Sequence, residues 1–378
     1  MISKFGKKQK DFNSQVKTFN SSIYTVLKRN FQYYRFKYSF PGKNSILIIE
    51  PNSHSHGEVL PYFVKYFLEK KYNVDVVISP WLDHMKALHM LNHKRLRKYT
   101  FNPLKNKNFI LKKIHKYKYI FFNSQIIYYN GEEVSIFKYY PYLNNYREKI
   151  YCIQHHIEHL DKNDIKNHTI ILTELPNTNT DLLVANPHYF GNVKITQKNE
   201  SCTNFIIVGS TEQKRKDFNL LFDAIYKLIN IGVTNFHITH IGRGNIELPQ
   251  NIEKYFSLKG YLDYKTMYEE IEKSDFILPL LNPDIKEHQR YIKNGTSGSF
   301  QLIYGFLKPS IIHKYFATTY HFDDNNSIIY ETNENLYTAM NNAIKIPQKE
   351  YSALQENLKI YADKIEKESL NNLDRNFK

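Results

Sequence analysis

The sequence predicts an α/β protein built from two doubly wound sheets, and three observations carry the prediction. Short apolar runs of strand length alternate with longer segments whose apolar residues recur at helical spacing, as where residues 45–50 (SILIIE) lead into residues 59–70. The chain has 378 residues, more than the ~250 at which a single core stops growing. A second series of the same kind opens at residues 204–209 (NFIIVG), past the midpoint.

Residues 1–43 carry ten Lys or Arg against one acid, Asp11, interleaved with Phe5, Phe12, Val16, Phe19, Ile23, Tyr24, Val26 and Leu27. Such a basic, partly amphipathic arm is either a helix packed on the first domain or an interfacial contact to anionic lipid head groups. The first domain, residues 44–197, starts with the strand 45–50, a loop at 51–58 (PNSHSHGE), a helix at 59–70 and a strand at 73–79. Gly57 is the only glycine of that loop, so it is no GxGxxG turn and offers no dinucleotide site. Residues 84–118 hold eleven Lys or Arg and no acid. A solvated helical face is the usual reason for such a run; a lipid diphosphate or a membrane surface is the functional alternative. Residues 119–122, 149–154, 169–173 and 181–185 complete the first sheet as short apolar runs.

The second domain, residues 198–347, continues from 204–209 with a helix at 218–229, a strand at 236–242, a helix at 264–273 and a buried strand at 275–279. Beyond a small-residue loop comes a helix stopped by Lys308-Pro309 and a strand at 310–312. Residues 348–378 contain an amphipathic helix from 348 to 368.

The net charge is +15, which asks for an anionic partner. No helix-turn-helix, zinc-finger or RNP pattern accompanies it, so nucleic acid is not the expected one. Cys152 and Cys202 are the only cysteines, too few for a disulfide framework or a Cys-rich zinc site. The basic N-terminus lacks the apolar core of a signal peptide, and no apolar stretch of ~20 residues exists. A cytoplasmic protein is expected, peripheral on the inner face of the membrane if the basic arm meets lipid.

The densest signal lies in residues 287–313. Asn294-Gly295-Thr296-Ser297-Gly298-Ser299 is a turn rich in N–H and hydroxyl donors, and Phe300, Leu302, Ile303 and Phe306 follow at helical spacing. A helix start has unpaired N–H groups and the positive end of the dipole, so the turn suits a phosphate. The alternative is that Thr296 or Ser297 merely caps the helix. Because the preceding strand ends at Pro279, the loop lies past a strand's carboxyl end, where open α/β sheets bind ligands.

The order Gly260-Tyr261 after a helix, the helix 264–273, the strand 275–279, the TSGS loop and a helix ending in Lys308-Pro309-Ser310-Ile311 resembles the C-terminal half of GT-B glycosyltransferases. It is closest to the group-1 class that uses nucleotide-sugar donors. In that class the loop is usually Glu-Gly-Phe-Gly with a second acid on the helix; here Thr296 to Ser299 fill the loop, and Gln301 and Leu302 stand where the acid would be. The resemblance implies two Rossmann-like domains facing a cleft, the acceptor on the first and the donor on the second, with a last helix that crosses back to brace the first. It implies no obligatory metal or cofactor beyond a UDP- or GDP-linked sugar.

For the donor, the resemblance points to Gly209 and to Arg215-Lys216-Asp217-Phe218, with Asp217 in place of the family's glycine. Arg offers a bidentate fork to phosphate and Lys a point charge, and cations at a helix start oppose its dipole unless an anion arrives. Gly242 and Arg243 belong to a turn that lets backbone approach the nucleotide, and Tyr261 either stacks on the base or joins the core. Lys293, Thr296, Ser297, Gly298, Ser299 and Gln301 complete the expected donor site.

On the first domain, Gln154-His155-His156-Ile157-Glu158-His159 follows a strand. The HExxH spacing of a zinc site is absent, and successive residues at a strand end point oppositely. General acid/base chemistry fits better, His titrating near neutrality and Glu158 orienting it or taking the proton of an attacking hydroxyl. His54 and His56 in the first loop are further candidates, or ordinary loop histidines. The expected function is sugar transfer from a nucleotide donor to a glycan or lipid-linked acceptor, in cell-surface polysaccharide or glycoconjugate synthesis. A nucleotide-sugar 2-epimerase of the same fold and a non-catalytic binding subunit are the alternatives.

Overall fold

The structure, a computed structural model, describes residues 18–19, 22–52, 56–106, 108–157, 168–175, 182–187 and 194–377. The first sheet is built from β1 (Ser45–Ile49), β2 (Asn73–Ile78), β3 (Leu96–Thr100), β4 (Tyr119–Phe122), β7 (Ile150–Gln154), β8 (Thr169–Ile171) and β9 (Leu183–Val184), with β5 (Ile126–Tyr129) and β6 (Glu132–Ser135) set apart as a hairpin. Its order is β3-β2-β1-β4-β7-β8-β9, all parallel. β1 is buried on both faces, as a parallel strand between helix layers must be. Ile46 and Ile48 pack with Phe63 and Phe67 on one side, Leu47 and Ile49 with Val77 and Phe122 on the other.

The second sheet runs β12 (Phe256–Gly260), β11 (Phe236–Ile241), β10 (Thr203–Val208), β13 (Phe276–Ile277). An Ile277–Ser310 bridge then joins it to the parallel pair β14 (Ile311–His313) and β15 (Ile328–Tyr330). Leaving the hairpin aside, each domain therefore opens in the order 3-2-1-4-5-6, the doubly wound Rossmann arrangement.

Two expectations are corrected here. The basic block 84–118 is not a solvated helical face, because it contains β3. Only Tyr99 and Thr100 of that edge strand are buried, and Arg97 lies against the buried Asp75, with its Nε 2.6 Å from Oδ1, so charge hides the strand. Likewise Gly260 ends β12 and does not follow a helix; β12 is the other sheet's edge and leaves its last three residues exposed.

The helix Ile23–Tyr38 lies along β3 and covers its open edge. Phe36 is fully buried there against Tyr99, Phe101 and Phe109. The buried Lys113 reaches the helix's C-terminal carbonyls, donating to Phe36 O, to Ser39 O (2.6 Å) and to Ser39 Oγ (2.8 Å). Residues 1–17 of the arm lie outside the described residues.

The helix Gln348–Asn376 spans both domains. Near its start Tyr351 Oη donates to Asp275 O and Gln355 Nε2 to Leu307 O, both at 2.9 Å. Near its end Asp374 accepts from Tyr66 Oη (2.9 Å) and Lys70 Nζ (2.6 Å), and Phe377 packs on Phe67, Tyr119 and Tyr151. No helix of the described residues is long and apolar enough to cross a membrane.

Candidate active site

The carboxyl ends of β10 and β11 meet in a glycine pair. Gly209 N–H donates to Ile241 O at 2.8 Å, and Gly209 holds φ +129°, a backbone setting that glycine adopts most readily. A Cβ on Gly242 would fall 1.7 Å from Gly209 O, so neither position tolerates a side chain. The loop after β10 leads to Asp217, which caps the helix Phe218–Asn230 by accepting from Leu220 N at 3.2 Å. Asp217 also accepts from Asn282 Nδ2 at 2.7 Å and donates its own N–H to Leu280 O at 2.9 Å. Leu280 sits at φ +52°, a strained setting for a branched side chain, and this turn past β13 aims the neighbouring carbonyls back at the loop.

Lys216 is only 4% exposed. Its Nζ donates to Pro279 O (3.0 Å) and Ser299 Oγ (3.4 Å), and its aliphatic end lies beside Gly209. Among the described residues no carboxylate pairs with it, and burial pulls its pKa down to about 7. The helix Gly298–Phe306 begins at the same point. Ser297 caps it, accepting from Ser299 N at 3.4 Å, while Gly298 is exposed and faces open space. A buried ammonium, a helix N-terminus and a side-chain-free turn therefore converge, and together they form a seat for an anion.

The other donor candidates divide. Arg215 is half-buried and its Nη1 donates to Tyr291 Oη at 3.4 Å. Arg243 lies over the Tyr261 ring (5.3 Å), which is nearly parallel to Trp81 at 6.4 Å across the cleft. Thr296 accepts from Thr173 Oγ1 of the first domain at 3.2 Å. Gln301 is buried within its helix. Lys293 is not brought in; it is exposed and donates at 2.9 Å to Gln289, the residue that precedes its own short helix.

On the first domain the two histidines part company. His155 Nε2 hydrogen-bonds Asn123 O at 3.1 Å and its ring stacks on His56, centroids 3.7 Å apart. Desolvation lowers the His155 pKa to about 4. Asn123 also donates to Glu50 Oε2 (2.6 Å) and His56 O (2.9 Å), and Asn52 N–H donates to Glu50 Oε1 (2.7 Å). Burial raises Glu50 to about 8 against those hydrogen bonds. His156 instead turns to the second domain, pairing with Gly295 and accepting from Arg290 Nη2 at 3.2 Å. Glu158 and His54 lie outside the described residues.

Glu50, Trp81, Asn123 and Arg290 were missed from the sequence. An acid ending an otherwise apolar strand and the chain's lone tryptophan were the available signals. A cavity of about 730 Å³ also lies between the domains, lined by Leu68, Met90, Thr196, Tyr268, Phe306 and Lys308 among others, but it holds none of the donor candidates.

No family model matches the chain, and no curated protein matches it in sequence. In structure it is similar to an alpha-glucosyltransferase in complex with UDP, at 12% identity and TM-score 0.55, over 84% of this chain and 94% of that one. It is also similar to an alpha-glucosyltransferase in complex with UDP and a 13-mer DNA containing a HMU base, at 13% identity and TM-score 0.54, over 87% and 100%. A further complex of such an enzyme with UDP and DNA gives 15% identity and TM-score 0.52, over 87% and 94%. Two Rossmann-like domains facing a cleft, with the last helix crossing between them, give this chain the GT-B fold.

Proposed function

We propose that the protein is a glycosyltransferase that moves a sugar from a UDP- or GDP-linked donor, held on the second domain, to a glycan or lipid-linked acceptor on the first. The observation that carries the proposal is Lys216, a buried cation with no acid among the described residues to answer it, aimed at a helix N-terminus and a glycine turn. A diphosphate supplies the missing charge. UDP in the similar structures supports uridine as the base.

In this reading catalysis is positioning plus stabilisation of the leaving diphosphate. Lys216, Arg215 and the N–H group of Gly298 at the helix start take up the charge that develops as the glycosidic bond breaks. Arg243, Tyr261 and Trp81 border the nucleotide side. His155, with its proton on Nε2 against Asn123 O, offers Nδ1 to an acceptor hydroxyl. A base held near 4 has little drive to abstract a proton, so its part is to orient that hydroxyl.

We place the reaction in cell-surface polysaccharide or glycoconjugate synthesis on the cytoplasmic side of a membrane, with the +15 charge as support. A second reading, a binding subunit without turnover, is favoured by Gln301 in place of the family's second acid. The test is a thermal-shift panel of nucleotide sugars and nucleoside diphosphates, followed by release of diphosphate with candidate acceptors. A midpoint raised by UDP in the native chain and unmoved in Lys216→Ala supports the donor site. No shift by any nucleotide would overturn it, and binding without release would select the subunit.

A further inference from the structure

The helix Ile23–Tyr38 turns Phe36 inward and leaves the opposite face bare. Tyr24, Leu27, Phe31, Tyr34 and Tyr38 are all more than half exposed, Leu27 at 64% and Phe31 at 65%, and Phe40 follows at 79%. The intervals 24-27-31-34-38 alternate three and four, which draws one straight seam along the helix. Single exposed apolar residues are ordinary, but five in line form a contiguous patch.

What flanks the seam decides what covers it. Lys28, Arg35 and Lys37 stand beside it, Lys28 pairing with Asp83 at 3.2 Å and Arg35 lying over Tyr99 while all three stay exposed, and residues 18–43 contain no acid. A seam of this period suits a second helix, but two copies of this one would set cation against cation. Single-stranded nucleic acid would use the rings and the charges, yet Leu27, second in the seam, has no face for a base. A bilayer with anionic lipid uses every part. Tyr rings sit at head-group level, Leu27 and Phe31 enter the acyl boundary, and the cations meet lipid phosphates.

We propose that this face of the helix Ile23–Tyr38 docks the protein on an anionic membrane. It names the surface behind the lipid-linked side of the proposed function, on which its biological sense rests, but it can fail separately. Phe19, just before the helix, packs on Trp81 (ring centroids 5.7 Å) and His84 (4.5 Å), and Trp81 stacks towards Tyr261. The helix thus starts at the mouth of the cleft, and docking there brings the acceptor side to the bilayer surface.

The test is sedimentation of the full chain with vesicles of phosphatidylcholine containing roughly one-third phosphatidylglycerol, against pure phosphatidylcholine. Binding to the anionic vesicles that falls with salt is expected, at least ~10-fold tighter than to neutral ones. Leu27→Ser with Phe31→Ser, both exposed, should lose ~30-fold or more. Arg35→Gln with Lys37→Gln should lose about 10-fold and flatten the salt dependence. Far-UV circular dichroism and the UDP-induced thermal shift are read on each variant, so that a failed donor site and a failed membrane surface are told apart. The proposal is overturned if either variant binds as the native chain does, if neutral vesicles bind equally, if a single-stranded oligonucleotide binds where vesicles do not, or if the chain dimerises through the seam without binding vesicles.

Discussion

His156 and Gly295 meet edge to edge across the interdomain cleft, so closely that a Cβ on Gly295 would lie 2.6 Å from His156 Nδ1. Ile157 N–H donates to Asn294 O at 2.7 Å beside them, and Arg290 holds His156 from the other side. The segment expected to do acid/base work on the first domain therefore also seats the loop that leads into the turn at Gly298, which we propose for the diphosphate.

The two histidines should then fail differently. His156→Ala should weaken UDP binding by ~10-fold, because the turn loses its support. His155→Ala should leave UDP affinity nearly intact and lower kcat by ~100-fold, as expected for a group that orients the acceptor. UDP titration and steady-state rates on both variants check this, and equal losses in both quantities for both variants would contradict the division.

Lys216→Met removes a buried charge and keeps the volume. UDP affinity should fall by ~100-fold or more, whereas the ligand-free protein should melt about 2–4 °C higher, since two hydrogen bonds to neutral oxygens, with no carboxylate among the described residues, do not repay the burial of the ammonium. A lower melting point would mean that Lys216 is structural.

Donor binding should depend on pH through the same side chain. Its pKa is about 7 when folded against 10.5 for an ordinary lysine. Between those values the unfolded chain binds more protons, so the ligand-free protein gains stability as pH rises through that window. A bound diphosphate favours the charged form, so UDP binding should take up a proton above pH 7 and weaken by up to ~10-fold per pH unit. Calorimetry in buffers of different ionisation heat reads the proton directly, and Lys216→Met should lose the uptake.

Gly242→Ala should be severe. Its Cβ would fall 1.7 Å from Gly209 O and force the two loops apart. A loss of ~3 kcal/mol or more in urea unfolding is expected, with UDP binding abolished. Gly232→Ala is the control for a glycine at positive φ (+78°) with no atom near, and should cost less.

The central strands were legible in the sequence because burial on both faces leaves uninterrupted apolar runs, as in β1, β7 and β10. The edges β3 and β12 were not, since exposure lets Arg97, Lys98, Ser257 and Lys259 into the pattern. The turn that starts the helix Gly298–Phe306 was legible from Gly and Ser ahead of an apolar helical run. The burial of Lys216 was not, because a lysine reads as surface until the turn at Leu280 brings Pro279 O over it. Glu50 and Asn123 come together only once β1 and β4 pair, through Ile49 and Phe122.

The helix Gln348–Asn376 acts as a ruler. Gln355 fixes it to the second domain and Ser369, accepting from Asn186 N–H at 3.0 Å, fixes it to the first. Those anchors are fourteen residues apart along one rod, about 21 Å at the α-helical rise. The domains cannot slide past one another along that line without breaking a helix. A rotation about the rod's own axis leaves both anchors intact, and in the proposed reaction that is the movement available for admitting a donor and releasing a diphosphate.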